Sequence, residues 1–441
     1  MSYVKPSNRR WVIVATLFIA IICNYLDRQL LSILKPEILE HFGIGNFEYA
    51  WIVNTFLICY AIMYPISGIL VDKLGPKKVL LGGITIWSLA CIGGGCCASD
   101  QVILFTICRG FLGVAEPTIF AAQMIAIAVW FEKKDRATPN AICQTGGGMG
   151  AVIAPIVIAA LMQVLDTWQH VFWLAGIVGL VIGAFWLIVY KNPPKLVLDI
   201  TVGDQQQKFD EQKKFAFKDM IKRKSLWGGV LIRLVSDPVW YFCCFWLPSF
   251  LRAMGSEQGL SNEETLLMVQ WIGGIPYLAG AIGGLLFSVW SDRLIKKGGD
   301  PLKSRKRVLI TAAVFAPIVA SVPFIAGCPL DFAMRVGLVV AVFCIVAAIC
   351  NAWLYNAPLT VVEQFPIANG ASVMGLCCGA GALGSVVFNQ VTGSIPESAW
   401  VYLFCLMGVL HLIAAVIVYK MIGPEVPGTK KQGEQLPDKT E

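Results

Sequence analysis

Charge is what this chain has least of. Only 14% of its 441 residues are Asp, Glu, Lys or Arg, 57% are hydrophobic, and the mean hydropathy is +0.69. Soluble domains carry about a quarter charged residues, so a soluble globular protein is excluded. Histidine is scarcer still, with three in the chain, and none of the fifteen cysteines stands at zinc-ligand or redox spacing with histidines nearby. No metal, disulfide or cofactor is expected. Cysteines inside apolar stretches, such as Cys96-Cys97, Cys243-Cys244 and Cys377-Cys378, read as small packing residues. No G-x-x-x-x-G-K-S/T loop occurs, so an ATP-driven pump would need that domain on another chain. No nucleophile–base pair is evident either, which argues against an enzyme. There is no N-x-S/T sequon and no organellar address, and a bacterial inner membrane fits best.

What the chain does have is long apolar runs. A helix needs about 20 such residues to cross a bilayer, and twelve candidates fall near 12–33, 48–70, 78–98, 102–124, 137–161, 168–190, 227–251, 267–290, 307–327, 334–356, 371–393 and 400–421. An all-α polytopic membrane protein is predicted. The first run is too long for a cleavable leader, lacks a small-residue cleavage site and contains Asp27 and Arg28, so it is expected to stay.

The basic residues are sorted by loop. Of the 35 Lys and Arg, 29 fall in the N-terminus, the 71–78, 132–136, 191–224 and 293–307 loops and the C-terminus. Lys35, Arg252 and Arg335 are the exceptions between spans, and Arg28, Arg109 and Arg233 lie inside them. The positive-inside rule then places both termini in the cytoplasm. The cluster Lys218, Lys222, Arg223 and Lys224 suits anionic lipid at the membrane surface; no nucleic-acid partner is expected. The polar loop 191–225 separates two bundles of six spans, 1–190 and 226–422, with a tail at 423–441. Carriers built from two such halves hold substrate between them near mid-membrane.

Four charges stand inside the apolar runs of the first half: Asp27 and Arg28 in span 1, Arg109 and Glu116 in span 4. An ionised group at mid-membrane costs roughly 2.5 kcal/mol or more, so each needs a partner or a task. Arg109 and Glu116 are seven apart and share a helix face. Asp27 and Arg28 point about 100° apart, so one can face a central cavity while the other meets a neighbouring helix. Arginine offers a carboxylate a forked pair of hydrogen bonds, and a carboxylate set between burial and a nearby arginine can load and release a proton. Arg233 and Asp237, four apart in span 7, either pair with each other or face substrate. His41, His170 and His411 read as interfacial or packing residues.

The loop after span 2, Gly68-x-x-x-Asp72-x-x-Gly75-x-Lys77-Lys78, resembles the signature of the major facilitator superfamily, and Asp292-Arg293 after span 8 resembles a degenerate second copy. Gly68 would allow close helix approach, Asp72 would meet a helix N-terminus, Gly75 would permit a tight turn, and the lysines would hold the loop at the surface. Within that superfamily, Asn24-Tyr25-Leu26-Asp27-Arg28 and Arg109-Gly110-x-x-Gly113-x-x-Glu116 resemble the anion:cation symporter branch. Trp130-Phe131-x-x-x-x-Arg136, the glycine run from Gly146 to Gly150 before Pro155, and Trp168-Gln169 agree. Asp237-Pro238-Val239-Trp240 with Phe245-Trp246-Leu247-Pro248 looks like the hexuronate permeases. The all-glycine 146–148 run, Gly379 to Gly381, and the absence of a basic residue in 362–370 depart from the pattern.

The resemblance implies a proton-coupled symporter of small organic monoanions, a hexuronate above all, working as a monomer. Asp27 and Glu116 would carry protons, and Arg28 would hold the substrate carboxylate while Arg109 keeps the acids ionised. Tyr25, Tyr60 and Tyr64 either offer hydroxyls to substrate or pack. Asn356 and Asn389 either bind sugar hydroxyls or tie helices together. Aldonates, aromatic acids and phosphorylated compounds are alternative substrates, and a transporter-like sensor is the alternative of another class.

Overall fold

The computed structural model describes residues 9–131, 137–191, 215, 217–365, 369–396 and 399–423. Arg136, most of the 191–225 loop and the tail beyond 423 lie outside them, as does the side chain of Asp72. Lipid offers no hydrogen-bond partner to a bare backbone, so apolar runs of this length close their backbones internally as helices. Twelve described helices are long and apolar enough to span a membrane: Arg9–Ile33, Asn46–Val71, Lys73–Gly95, Val102–Ile127, Thr145–Val164, Trp168–Val189, Lys224–Phe245, Asn262–Lys296, Pro301–Ala326, Phe332–Val362, Ser372–Ser394 and Trp400–Met421. They are numbered here as spans 1 to 12. No strand occurs among the described residues.

Proline and glycine set the breaks that hydropathy alone does not show. Leu34 leaves the helix at the end of span 1 and Pro36 starts a short helix, Lys35–Phe42, in what reads from the sequence as a plain loop. Pro117 divides span 4 just after Glu116, because proline cannot donate to the carbonyl four residues back. Trp246 (φ −121°, ψ −26°) ends the helical part of span 7, and Leu247–Glu257 resumes from Pro248. Span 8 is interrupted at Gly273-Gly274 ahead of Pro276.

Spans 2 and 3 join with almost no loop. Gly75 (φ 80°, ψ 157°) is the non-helical residue between them, a conformation that L side chains rarely adopt. Gly68 corrects the sequence reading: a Cβ there would meet nothing within 4 Å, so no close helix approach depends on it in this structure. Asp292 and Arg293 are exposed at the corresponding end of span 8.

The halves are linked at the ends of the spans opposite the 71–78 and 293–307 loops. Arg252, from the extension of span 7, donates to both oxygens of Glu37 at 3.0–3.2 Å and to the Ile33 carbonyl at 3.1 Å. Beside it, Tyr49 donates to Leu31 and Phe245 carbonyls, Asn54 to Gln390 and Tyr277 to Gln29. The Lys35 ammonium lies 4.3 Å from the Trp246 ring centre. That end of the molecule is sealed by polar contacts between spans 1, 2, 7, 8 and 11.

Candidate functional site

Spans 1 and 4 bring the four charges of the first half together. Asp27, Arg28, Arg109 and Glu116 are all buried, between 1% and 6% exposed. Arg28 Nη2 donates to Glu116 Oε2 at 2.5 Å. Asp27 is within electrostatic reach of both Glu116 and Arg109. The guanidinium of Arg109 has no hydrogen-bond partner on any nitrogen among the described residues. Glu116 Oε1, Arg28 Nε, Asp27 Oδ2 and both side-chain atoms of Asn24 are likewise unpartnered. Buried polar atoms are nearly always satisfied. Open donors and acceptors are therefore concentrated around two arginines and two acids, a set whose chemistry suits a polar group.

Aromatic rings hold the arginines. Arg28 lies 5.1 Å from the Tyr25 ring centre, 5.1 Å from Tyr60 and 5.4 Å from Phe56. Arg109 lies 5.3 Å from the same Phe56 ring. Glycines make this possible. At Gly113 a Cβ would strike the Phe56 carbonyl, and at Gly110 it would press on Thr55 at 3.3 Å, so the glycines between Arg109 and Glu116 let span 4 lie against span 2. The run in span 5 does the same for span 1. Cβ atoms at Gly147 and Gly150 would lie 2.7 and 2.8 Å from Tyr25. Both are places where only glycine leaves room for the neighbour.

Tyr25, Tyr60, Tyr64 and Tyr241 are half-buried around this cluster. Tyr60 and Tyr64 are neighbours, ring centres 5.7 Å apart. Tyr64 is one turn nearer the 71–78 loop, and Tyr241 of span 7 is within electrostatic reach of both Arg28 and Arg233. Asn356 and Asn389 stand elsewhere and are fully buried. Asn356 donates to Ser288 and to the Ala352 carbonyl, while Asn389 accepts from Trp246 Nε1 at 3.1 Å. Both side chains tie helices together in this structure. Arg233 and Asp237 pair at 2.8 Å. His41 packs on Trp168, and His411 is buried against Trp353.

Lys77 and Lys78 flank the Gly75 turn, and the Lys77 carbonyl accepts from Trp186 Nε1. Phe56, Tyr241 and the Arg252–Glu37 link carry no sequence signal of a site. An aromatic in an apolar run looks like any other, and only the fold shows which charges it faces. No group of three or more His, Cys, Asp or Glu side chains gathers at metal-binding distance among the described residues.

Twelve membrane-length helices around a buried, incompletely partnered cluster of arginines and acids define a multi-pass membrane carrier of polar solutes. The chain belongs to the Major Facilitator Superfamily, whose family model matches residues 17–388, and members of that family are transporters rather than enzymes. It is 25% identical over 436 residues to the hexuronate transporter of Escherichia coli (strain K12), covering 95% of each chain. To a probable galactarate/D-glucarate transporter of the same organism it is 27% identical, covering 71% of this chain and 73% of the relative. The crystal structure of D-xylose-proton symporter superposes with a TM-score of 0.72 at 15% identity, covering 94% of this chain and 98% of that one; this likeness concerns the fold.

Proposed function

We propose that this chain is a proton-coupled symporter that imports a sugar acid, a hexuronate such as glucuronate or galacturonate, across a bacterial inner membrane. It works as a monomer of two six-helix halves, 1–190 and 226–422, with both termini in the cytoplasm. The named activities of its relatives support the substrate class. The observation that carries the coupling is the buried contact between Arg28 and Glu116.

While that contact stands, the Arg28 guanidinium is committed to Glu116. A proton on Glu116 removes the negative charge, weakens the pair and frees Arg28 to donate its fork to a substrate carboxylate. Release of the proton re-forms the pair and expels the substrate. Arg109, with every donor open, holds Asp27 and Glu116 ionised between turns and offers a second cation to the incoming anion. Asp27 is the second proton carrier. With two protons per monoanion each cycle moves one net positive charge inward, worth about 2.3 kcal/mol per 100 mV; with one it is electroneutral.

The sealed end faces the outside in this reading, and the basic loops face the cytoplasm. The two halves rock about the site to expose it in turn. The test is uptake of radiolabelled glucuronate into proteoliposomes under an inward proton gradient. Accumulation that collapses with the gradient is the expected result. Equal accumulation with and without the gradient would overturn proton coupling, and no uptake of glucuronate or galacturonate would overturn the substrate class.

A further inference from the structure

One buried ion pair has no task in the cycle above. Arg233 and Asp237 stand one turn apart on span 7, 8% and 3% exposed, with Nη2 2.8 Å from Oδ2. Two charges inside a membrane protein are costly to desolvate, and hydrophobic side chains often pack as well or better. A brace would justify the cost by tying two elements together, but both partners belong to the same helix.

The surroundings are shaped around the carboxylate and leave the guanidinium open. A Cβ at Gly381 of span 11 would fall on the Asp237 carboxylate, so the glycine that departs from the family pattern makes room for it. Ser236 Oγ donates to Asp237 Oδ1 at 3.3 Å. Arg233 Nε has no hydrogen-bond partner among the described residues, and Cys378 Sγ, at 3.9 Å from Nη2, is a weak acceptor. The other groups facing the pair are Tyr241 on the same helix, Cys377 and Cys378 on span 11, Cys350 on span 10 and Tyr64 on span 2. These are hydroxyls and thiols, with no further carboxylate.

Tyrosines connect the pair to the first site. Tyr241 reaches both Arg28 and Arg233 electrostatically. Tyr60, over Arg28, neighbours Tyr64, which reaches Arg233. Two guanidiniums from opposite halves, each held by its own carboxylate, are therefore linked through the same group of tyrosines.

We propose that Arg233 and Asp237 form a second carboxylate seat with its own proton, so that the carrier takes hexarate dianions as well as hexuronates. This rests on the reading of Arg28 as the first seat. A proton on Asp237 releases Arg233, which takes the distal carboxylate while Arg28 holds the proximal one. With Asp237 ionised, Arg233 stays neutralised and its surroundings suit the uncharged terminus of a hexuronate. The second negative charge of a hexarate thus arrives with one additional proton, and the loaded carrier has the same net charge with either substrate.

The experiment compares radiolabelled galacturonate and galactarate in proteoliposomes of the wild type, the Arg233→Met/Asp237→Asn double variant and Asp237→Asn alone, with protons counted per molecule taken up. The wild type is expected to accumulate both, with one more proton for galactarate. The double variant is expected to lose galactarate uptake at least tenfold while galacturonate uptake falls less than twofold. Should the double variant not fold, Asp237→Asn alone decides: it is expected to keep galactarate uptake with one proton fewer. Galacturonate without galactarate in the wild type would overturn the second seat, as would an equal fall of both substrates in a folded double variant or an unchanged proton count in Asp237→Asn. Galactarate without galacturonate, lost in the double variant, would uphold the seat and overturn the hexuronate reading. Uptake of neither would overturn both.

Discussion

Arg28 and Arg109 lie over the same ring, their guanidinium carbons 5.4 and 5.3 Å from the centre of Phe56. Two like charges are thus held close together in a membrane interior without touching. The negative face of an aromatic ring attracts each by about 0.5–2 kcal/mol, and Glu116 satisfies one of them directly.

Phe56→Leu removes the ring and keeps an apolar side chain. It is expected to raise the apparent KM for sugar acid about 2- to 30-fold, the fold-change equivalent of that attraction. A smaller fall in thermal stability should accompany it. Initial-rate uptake over a substrate series, with a melt of the purified protein, measures both.

Glu116→Gln mimics the protonated acid permanently. Arg28 is then free at every pH, so exchange of internal for external substrate should survive while gradient-driven accumulation is lost. In the wild type, uptake is expected to rise as the outer pH falls, because the proposed symport consumes protons there. Counterflow and net uptake measured side by side separate the two. Unimpaired accumulation in Glu116→Gln would move the coupling role to Asp27.

Arg252→Ala leaves Glu37 without its fork and opens the seal between the halves. Arg252 is buried and Glu37 part-buried, so losing their fork removes a link that holds this end shut, and the population should shift toward the conformation open there. A cysteine placed at Asn54, in a background without native cysteines, is expected to label faster with a membrane-impermeant thiol reagent when Arg252 is changed. Unchanged labelling would show that the seal does not depend on this pair.

Gly75→Ala and Gly68→Ala should differ, although both glycines belong to the same motif. Gly75 has φ 80°, where an L side chain costs about 1–2 kcal/mol, whereas a Cβ at Gly68 meets open space. Lower yield and melting temperature are expected for Gly75→Ala, and wild-type values for Gly68→Ala.

Much of this molecule is legible in its sequence because lipid leaves so few options. A long apolar run must become a helix, so the twelve spans follow from composition, and a charge inside such a run announces itself. The choice of partner is less legible. That Arg28 meets Glu116 depends on how spans 1 and 4 lie against spans 5 and 2, and a glycine in a motif does not say which neighbour it makes room for. Pro36, Pro117, Pro248 and Pro276 stand at breaks that the reading by apolar runs passed over. Asn356 and Asn389 show the converse. A polar side chain in a span reads equally as ligand or as brace, and here each amide bonds a neighbouring helix through one of its two atoms.

The seal at Arg252 and Glu37 lies away from every group that would touch a sugar acid. If the empty carrier must dissolve and rebuild those hydrogen bonds on each return stroke, that stroke sets a ceiling on turnover. Substrates of very different affinity would then share one maximal velocity and one temperature coefficient, both governed by a contact that none of them meets.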